Sequence, residues 1–169
     1  MAAKKFLRFV NGVFTEIFGV QTSAGASNAG DIPALDDSGR LDQSLMPIGI
    51  GADTKIIPAS EALAAGAYVN VWNSSGAKAR NADATVAGKR AHGFVLAAVA
   101  SGANATVYFE GTNTGHSGLT PGAEIYLQTT AGQGAATIPS ASGNVVQRLG
   151  IAASATEVSF EAAEPVTLA

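Results

Sequence analysis

The sequence holds no cysteine and only two histidines, and charged residues make up 14% of its 169 positions. Without cysteine there is no disulfide framework, no thiol nucleophile and no thiolate-ligated zinc. His92 and His116 share no H-x-x-x-H spacing and fall short of the ligands a zinc site wants, so both read as structural or surface residues. A net charge of −3 with no long Lys/Arg run makes nucleic acid a poor partner. Apolar runs last only a few residues, far from the roughly 20 that cross a membrane, so no membrane partner is expected. The basic opening, residues 1–8, meets Asn11, Gly12, Thr15 and Glu16 where a secretory signal needs an apolar core, so the product is expected in the cytoplasm when made.

What the chain has in plenty is small apolar residues. Alanine (34) and glycine (20) supply almost a third of it, and hydrophobic residues reach 47%. A mean hydropathy of +0.22 argues against wholesale disorder. The length suits one ordinary domain plus an appendage. So apolar a chain with so few charges points to surface hidden against other subunits.

The chain divides near residue 52, into an arm at 1–52 and a domain at 53–169. Four of the seven phenylalanines, Phe6, Phe9, Phe14 and Phe18, fall in the first 18 residues. Their spacing also suits a helix. Asn11-Gly12, flanked by β-branched and aromatic residues, instead favours a hairpin with a two-residue type I′ turn, and Gly weakens a helix interior by roughly 1 kcal/mol. The hairpin pairs Val10 with Val13, Phe9 with Phe14 and Phe6 with Ile17. Residues 19–30 have linker composition. Residues 29–47 read as a turn: Ile32-Pro33 is extended, Asp36 to Gly39 reverses the chain between Leu35 and Leu41, and Leu45 and Met46 precede a stop at Pro47. Residues 48–52, Ile-Gly-Ile-Gly-Ala, read as a hinge.

From Asp53 onward, period-two alternation and turn residues give about eight short strands, an all-β barrel or sandwich. Thr54 to Ile57 is an edge strand ended by Pro58, and residues 67–72 form a strand closed by Asn73-Ser74-Ser75-Gly76. Residues 92–100 form a strand buried on both faces. Ala105, Val107 and Phe109 face opposite to Thr106, Tyr108 and Glu110, and Ile125 and Leu127 turn inward. Residues 144–152 form one strand, and Val158 and Phe160 point away from Glu157 and Glu161. Residues 61–65 could make one helical turn.

The pattern Gly30-x-Ile32-Pro33-x-Leu35-Asp36-x-x-Gly39-x-Leu41-Asp42-x-Ser44-x-Met46-Pro47 resembles a segment common in tailed-bacteriophage structural proteins. The stretch Lys5-Phe6-Leu7-Arg8-Phe9-Val10-Asn11-Gly12 is similar to the N-terminus of phage head decoration proteins. Arg90-Ala91-His92-Gly93-Phe94-Val95, Leu119-Thr120-Pro121-Gly122-Ala123 and residues 144–152 resemble phage decoration and head-fibre domains. The resemblance implies a homotrimeric β-rich body on the capsid exterior, held by its N-terminal arm to the major capsid protein and present in the host cytoplasm during assembly. Phe6, Phe9, Phe14, Phe18, Leu35, Leu41 and Leu45 are the candidate anchors.

Candidates for chemistry are few. No G-x-S-x-G elbow accompanies Ser101, Ser117 or Ser154, which read as turn residues. Asp36, Asp37 and Asp42 lack the ligand register of a calcium loop, and Gly132-Gln133-Gly134 lacks the strand–helix context of a phosphate cradle. Glu157 and Glu161 read as a solvated face, and Arg80, Lys89 and Arg90 as a small basic cluster around Asp83. Trp72 and Tyr68, on one strand face, offer a sugar-stacking platform or core packing. The sequence therefore points to a structural protein, not an enzyme, with no cofactor. The alternative is a head or tail fibre domain that binds a host receptor or a host-surface glycan.

Overall fold

A computed structural model describes residues 5–46 and 52–169. Two compact units divide the chain, Met1–Gly51 and Ala52–Ala169. The expected hinge at 48–52 lies outside the described residues except for Ala52, and so does the expected stop at Pro47.

The first unit opens with a hairpin of β1 (Lys5–Val10) and β2 (Val13–Phe18). Asn11 (φ 50°) and Gly12 (φ 82°) both take positive φ, as a type I′ turn requires. That turn fixes the register, with Val10 opposite Val13, Phe9 opposite Phe14 and Phe6 opposite Ile17. Residues 19–30 are more ordered than linker composition suggests. Val20 forms a parallel bridge with Pro33, and Gly25–Asn28 makes a 3-10 turn. Side chains impose the order: Asn28 accepts from the Ala24 amide at 2.6 Å and donates to Asp31 at 3.0 Å, while Ser23 accepts from the Gly25 amide at 3.0 Å.

The second unit is all-β. Its strands are β3 (Thr54–Pro58), β4 (Tyr68–Asn73), β5 (Ala77–Asn81), β6 (Gly93–Phe94), β7 (Asn104–Tyr108) and β8 (Gly111–Asn113). They are followed by β9 (Glu124–Leu127), β10 (Gly134–Ala135), β11 (Val145–Val146), β12 (Arg148–Ala152), β13 (Val158–Phe160) and β14 (Val166–Thr167). Two antiparallel five-stranded sheets, ordered β3-β7-β6-β4-β5 and β10-β9-β12-β13-β8, carry most of it, and β11 pairs with β14. No closed barrel forms among the described residues. Among the described residues, the outer strands of the first sheet come together and are joined by one bridge, between Ala59, just past β3, and Ala79 of β5, where the Ser60 amide donates to the Ala79 carbonyl at 2.8 Å.

Strand alternation gives this unit two cores. Tyr68 and Phe94 pack with Ile125, Leu127, Leu149 and Phe160 of the second sheet. Val69, Ile57, Ala79, Ala105 and Val107 form the other core, covered by Leu63 and Val95. The Phe94 ring stacks on Tyr108 and meets Phe160 edge-on, with centroids 5.4 Å apart in each pair. Buried polar side chains are fully engaged. Gln147 accepts from the Ala91 amide at 2.8 Å and donates to the carbonyls of Ala91 and Ala163, while Asn113 donates to the Gly66 carbonyl at 2.9 Å.

Several expectations need correction. The span 92–100 is not one buried strand: after Phe94 it turns, leaving Ala97, Ala98 and Ala100 exposed, and Val99 returns to exchange two 2.9 Å hydrogen bonds with Leu63. Alanine side chains bring little apolar area to bury, and here the backbone instead turns so that Val99 can pair with Leu63. Residues 61–65 form no helical turn, because Leu63 is committed to that bridge. Residues 144–152 split into two strands around Gln147, whose side chain serves other backbones. β5 was not anticipated as a strand; its Ala-Lys-Ala-Arg-Asn sequence lacks β-branched and aromatic residues and is held by full pairing with β4.

Leu149 is fully buried, so Leu149→Ala is expected to destabilise this unit by about 2–5 kcal/mol in a chemical denaturation measurement. His92 and His116 are half-buried, and desolvation holds both below the ordinary imidazole value of 6.5, with the Arg90 charge adding to the effect at His92. Because the unfolded chain binds these protons more readily, their contribution is fully present above pH 6.5 and is lost as the pH falls through the folded values. Melting temperature should therefore drop on acidification below pH 6.5, and less so in a His116→Gln variant.

Candidate functional site

Among the described residues of the first unit, one position is buried, and it is Gly19. A Cβ there would meet the Ala34 Cβ at 2.7 Å and the Phe6 ring at 3.0 Å, so the closest approach in this unit is made by the residue with no side chain. No apolar side chain between residues 5 and 46 belongs to a core. Backbone and polar side-chain hydrogen bonds shape the unit instead.

Residues 30–46 show how. The Asp36 carboxylate accepts from the Ser38 amide at 2.8 Å, the Ser38 hydroxyl at 2.6 Å and the Arg40 amide at 2.9 Å. Across the same turn, the Asp36 amide donates to the Arg40 carbonyl at 2.7 Å. Asp42 repeats the arrangement on Ser44 and caps the 3-10 turn Gln43–Leu45. The Ser44 hydroxyl in turn accepts from the Ser23 amide at 2.8 Å. The Ser38 and Ser44 hydrogen bonds are the main cause holding these two carboxyls below their usual 3.8, with the Arg40 amide adding to it at Asp36. Both are thus engaged as acceptors in turns.

These turns present apolar side chains outward. Alternation splits the hairpin into two faces. Leu7, Phe9, Phe14 and Phe18 share one face with Lys5 and Glu16, and they are 71%, 64%, 71% and 59% exposed. Phe6, Arg8, Val10, Val13, Thr15 and Ile17 share the other, where Phe6 falls to 37% beside Gly19. The four phenylalanines expected to act together are therefore separated: Phe6 lies opposite the other three. On the aromatic face the Phe9 and Phe14 rings tilt together at 5.0 Å. The Lys5 ammonium sits 5.2 Å from the Phe18 ring centre and 2.6 Å from the Glu16 carboxylate. Leu35 and Leu41 are exposed on either side of the Asp36 turn, and Leu45 is half-buried. Leu7 was not among the residues singled out from the sequence, yet it shares the exposed aromatic face. Its signal was the hairpin register itself, which places it two residues from Phe9 on the same face.

The second unit offers no comparable surface at the expected sites. Tyr68 is fully buried and its hydroxyl lies 3.0 Å from His116 Nε2, so it cannot form a stacking platform with Trp72. Arg80 lies 4.5 Å from the Trp72 ring centre and donates to Asn70, and Arg90 binds Glu164 at 2.7 Å. The basic cluster around Asp83 therefore dissolves, and the Asp83 carboxylate takes the Thr85 amide and hydroxyl instead. Among the described residues, no group of three or more His, Asp or Glu side chains is placed to hold a metal ion. Comparison of the chain with protein-family models, curated proteins and solved structures finds no match.

Since both aspartates have lowered values, the two caps are fully present above pH 3.8 and are lost as the pH falls through the folded values. In an NMR titration the Ser38 and Ser44 amide signals should move with a midpoint below pH 3.8. Movement centred at or above 3.8 would remove the carboxylates from this role.

Proposed function

We propose that this chain is a structural protein of a tailed-bacteriophage virion, a capsid decoration protein whose N-terminal unit grips the major capsid protein. The observation that carries the reading is the aromatic face of the hairpin, built from Leu7, Phe9, Phe14 and Phe18 and exposed on a unit with no core. An isolated hairpin is marginal in water, and such a face gains most by lying on another surface. The resemblance of residues 5–12 and 30–47 to phage virion proteins supplies the identity of that surface.

Burying one such side chain contributes about 1.5–3 kcal/mol, enough for several anchors to offset the ordering of the unit on the shell. The second unit, with its own two cores, supplies a trimeric body in this reading. Three arms on one body then attach with avidity, since the later contacts are intramolecular. Decoration bridges neighbouring capsid subunits and stiffens the head passively, with no catalytic turnover.

The double variant Phe9→Ser/Phe14→Ser removes the centre of the face from exposed positions. It is expected to weaken each arm by about 3–6 kcal/mol, two or more decades in affinity, in co-sedimentation with head shells that lack this protein. The melting of the body should stay unchanged. Decoration at wild-type affinity would contradict the proposal.

A further inference from the structure

The aromatic face says that the hairpin docks, and its edges say how. In a two-residue hairpin the pair beside the turn exchanges both ladder bonds, and bonded and non-bonded pairs then alternate. Val10–Val13, Arg8–Thr15 and Phe6–Ile17 are therefore the bonded pairs, and their backbone groups point inward. Those of Leu7 and Phe9 on β1, and of Phe14, Glu16 and Phe18 on β2, point outward. No backbone hydrogen bond from residues 5–18 to any residue outside the hairpin is formed among the described residues.

The two edges are not equivalent. β2 leads into Val20, which has the parity of its outward residues, and the chain has already added its own segment there. The Val20 amide donates to the Ile32 carbonyl and the Ala34 amide to the Val20 carbonyl, each at 2.8 Å. A foreign strand running along β2 would meet Ile32 and Pro33. Among the described residues, the β1 edge has no such cover. It also differs from other edges of the molecule: β3 ends in Pro58 and is brought to β5 by the Ala59–Ala79 bridge, and β8, β10, β11 and β14 are two or three residues long. β1 runs for six residues with no proline, and Lys5 is already paired with Glu16. A long, apolar, uncovered edge is a template for strand addition.

Charge narrows the partner. Residues 5–18 carry Lys5, Arg8 and Glu16, a net +1 in a chain whose total is −3. Arg8 forms no ion pair among the described residues and projects from the face opposite the aromatic stripe.

We propose that β1 docks by strand addition: an extended segment of the capsid protein pairs with the outward backbone groups of Leu7 and Phe9. That segment is apolar on the side continuous with Phe9 and Phe14 and carries a carboxylate beside Arg8. This rests on the docking role proposed above and specifies its geometry.

Hydrogen exchange resolved to single amides tests it, using the full chain free and bound to head shells of the parent phage assembled without it. Strand addition slows exchange at Leu7 and Phe9 by about tenfold or more, while Phe14 and Glu16 on the other edge change less. Arg8→Glu lowers shell affinity by about tenfold, and Arg8→Lys restores most of it. Binding that Phe9→Ser/Phe14→Ser abolishes, but that leaves the Leu7 and Phe9 amides unprotected, would overturn strand addition and leave face docking standing. Failure of the wild-type chain to bind would overturn both.

Discussion

Folding of the first unit is governed by a scarcity of buried apolar area. A short chain gains stability by removing side chains from water, and between residues 5 and 46 it removes almost none. What order exists comes from a type I′ turn, two aspartates closing turns on nearby serines, and a glycine that lets Phe6, Ile32 and Ala34 approach. Hydrogen bonds of this kind contribute only about 0.5–1.5 kcal/mol each. They fix a shape without sealing a surface. The exposed aromatic face follows directly, because every large side chain on it lacks an opposing layer.

The second unit solves the opposite problem. Its strands are short and its side chains small, yet alternation serves two cores from one sheet, with Tyr68 facing one and Val69 the other. Alanine at positions 59, 79 and 105 lets the first sheet curl until its outer strands are joined by a bridge. Gln147, Asn113 and Asn70 then tie loops to strands through buried side-chain amides. The two cores of this unit are built from its own residues.

Local chemistry made some of this legible in the sequence. Asn11-Gly12 between β-branched and aromatic residues has one favourable backbone solution, and the register follows from it. Ile125, Leu127, Val158 and Phe160 alternate cleanly and are buried as expected. Elements held by tertiary contacts were illegible. β5 has weak strand propensity and exists because β4 pairs with it along its whole length, while the apolar run at 92–100 reads as a strand until Val99 is seen to bond back to Leu63. In the candidate site, Leu35 and Leu41 were readable as flanks of a turn. The separation of Phe6 from Phe9, Phe14 and Phe18 needed the faces of the hairpin, which its register contained. The turn-closing hydrogen bonds of Asp36 and Asp42 could not be read, since the same carboxylates in another loop would bind water.

The central claim is that one face of the hairpin is bare in the free chain and becomes covered on the shell. Hydroxyl-radical footprinting of the full chain, free and on head shells, reads this directly through oxidation of individual side chains. The account predicts strong labelling of Leu7, Phe9, Phe14 and Phe18 in the free protein, their protection on the shell, and a smaller change at Phe6 and Ile17. Weak labelling of those four side chains in the free protein, equal to that of buried Phe94, would contradict it.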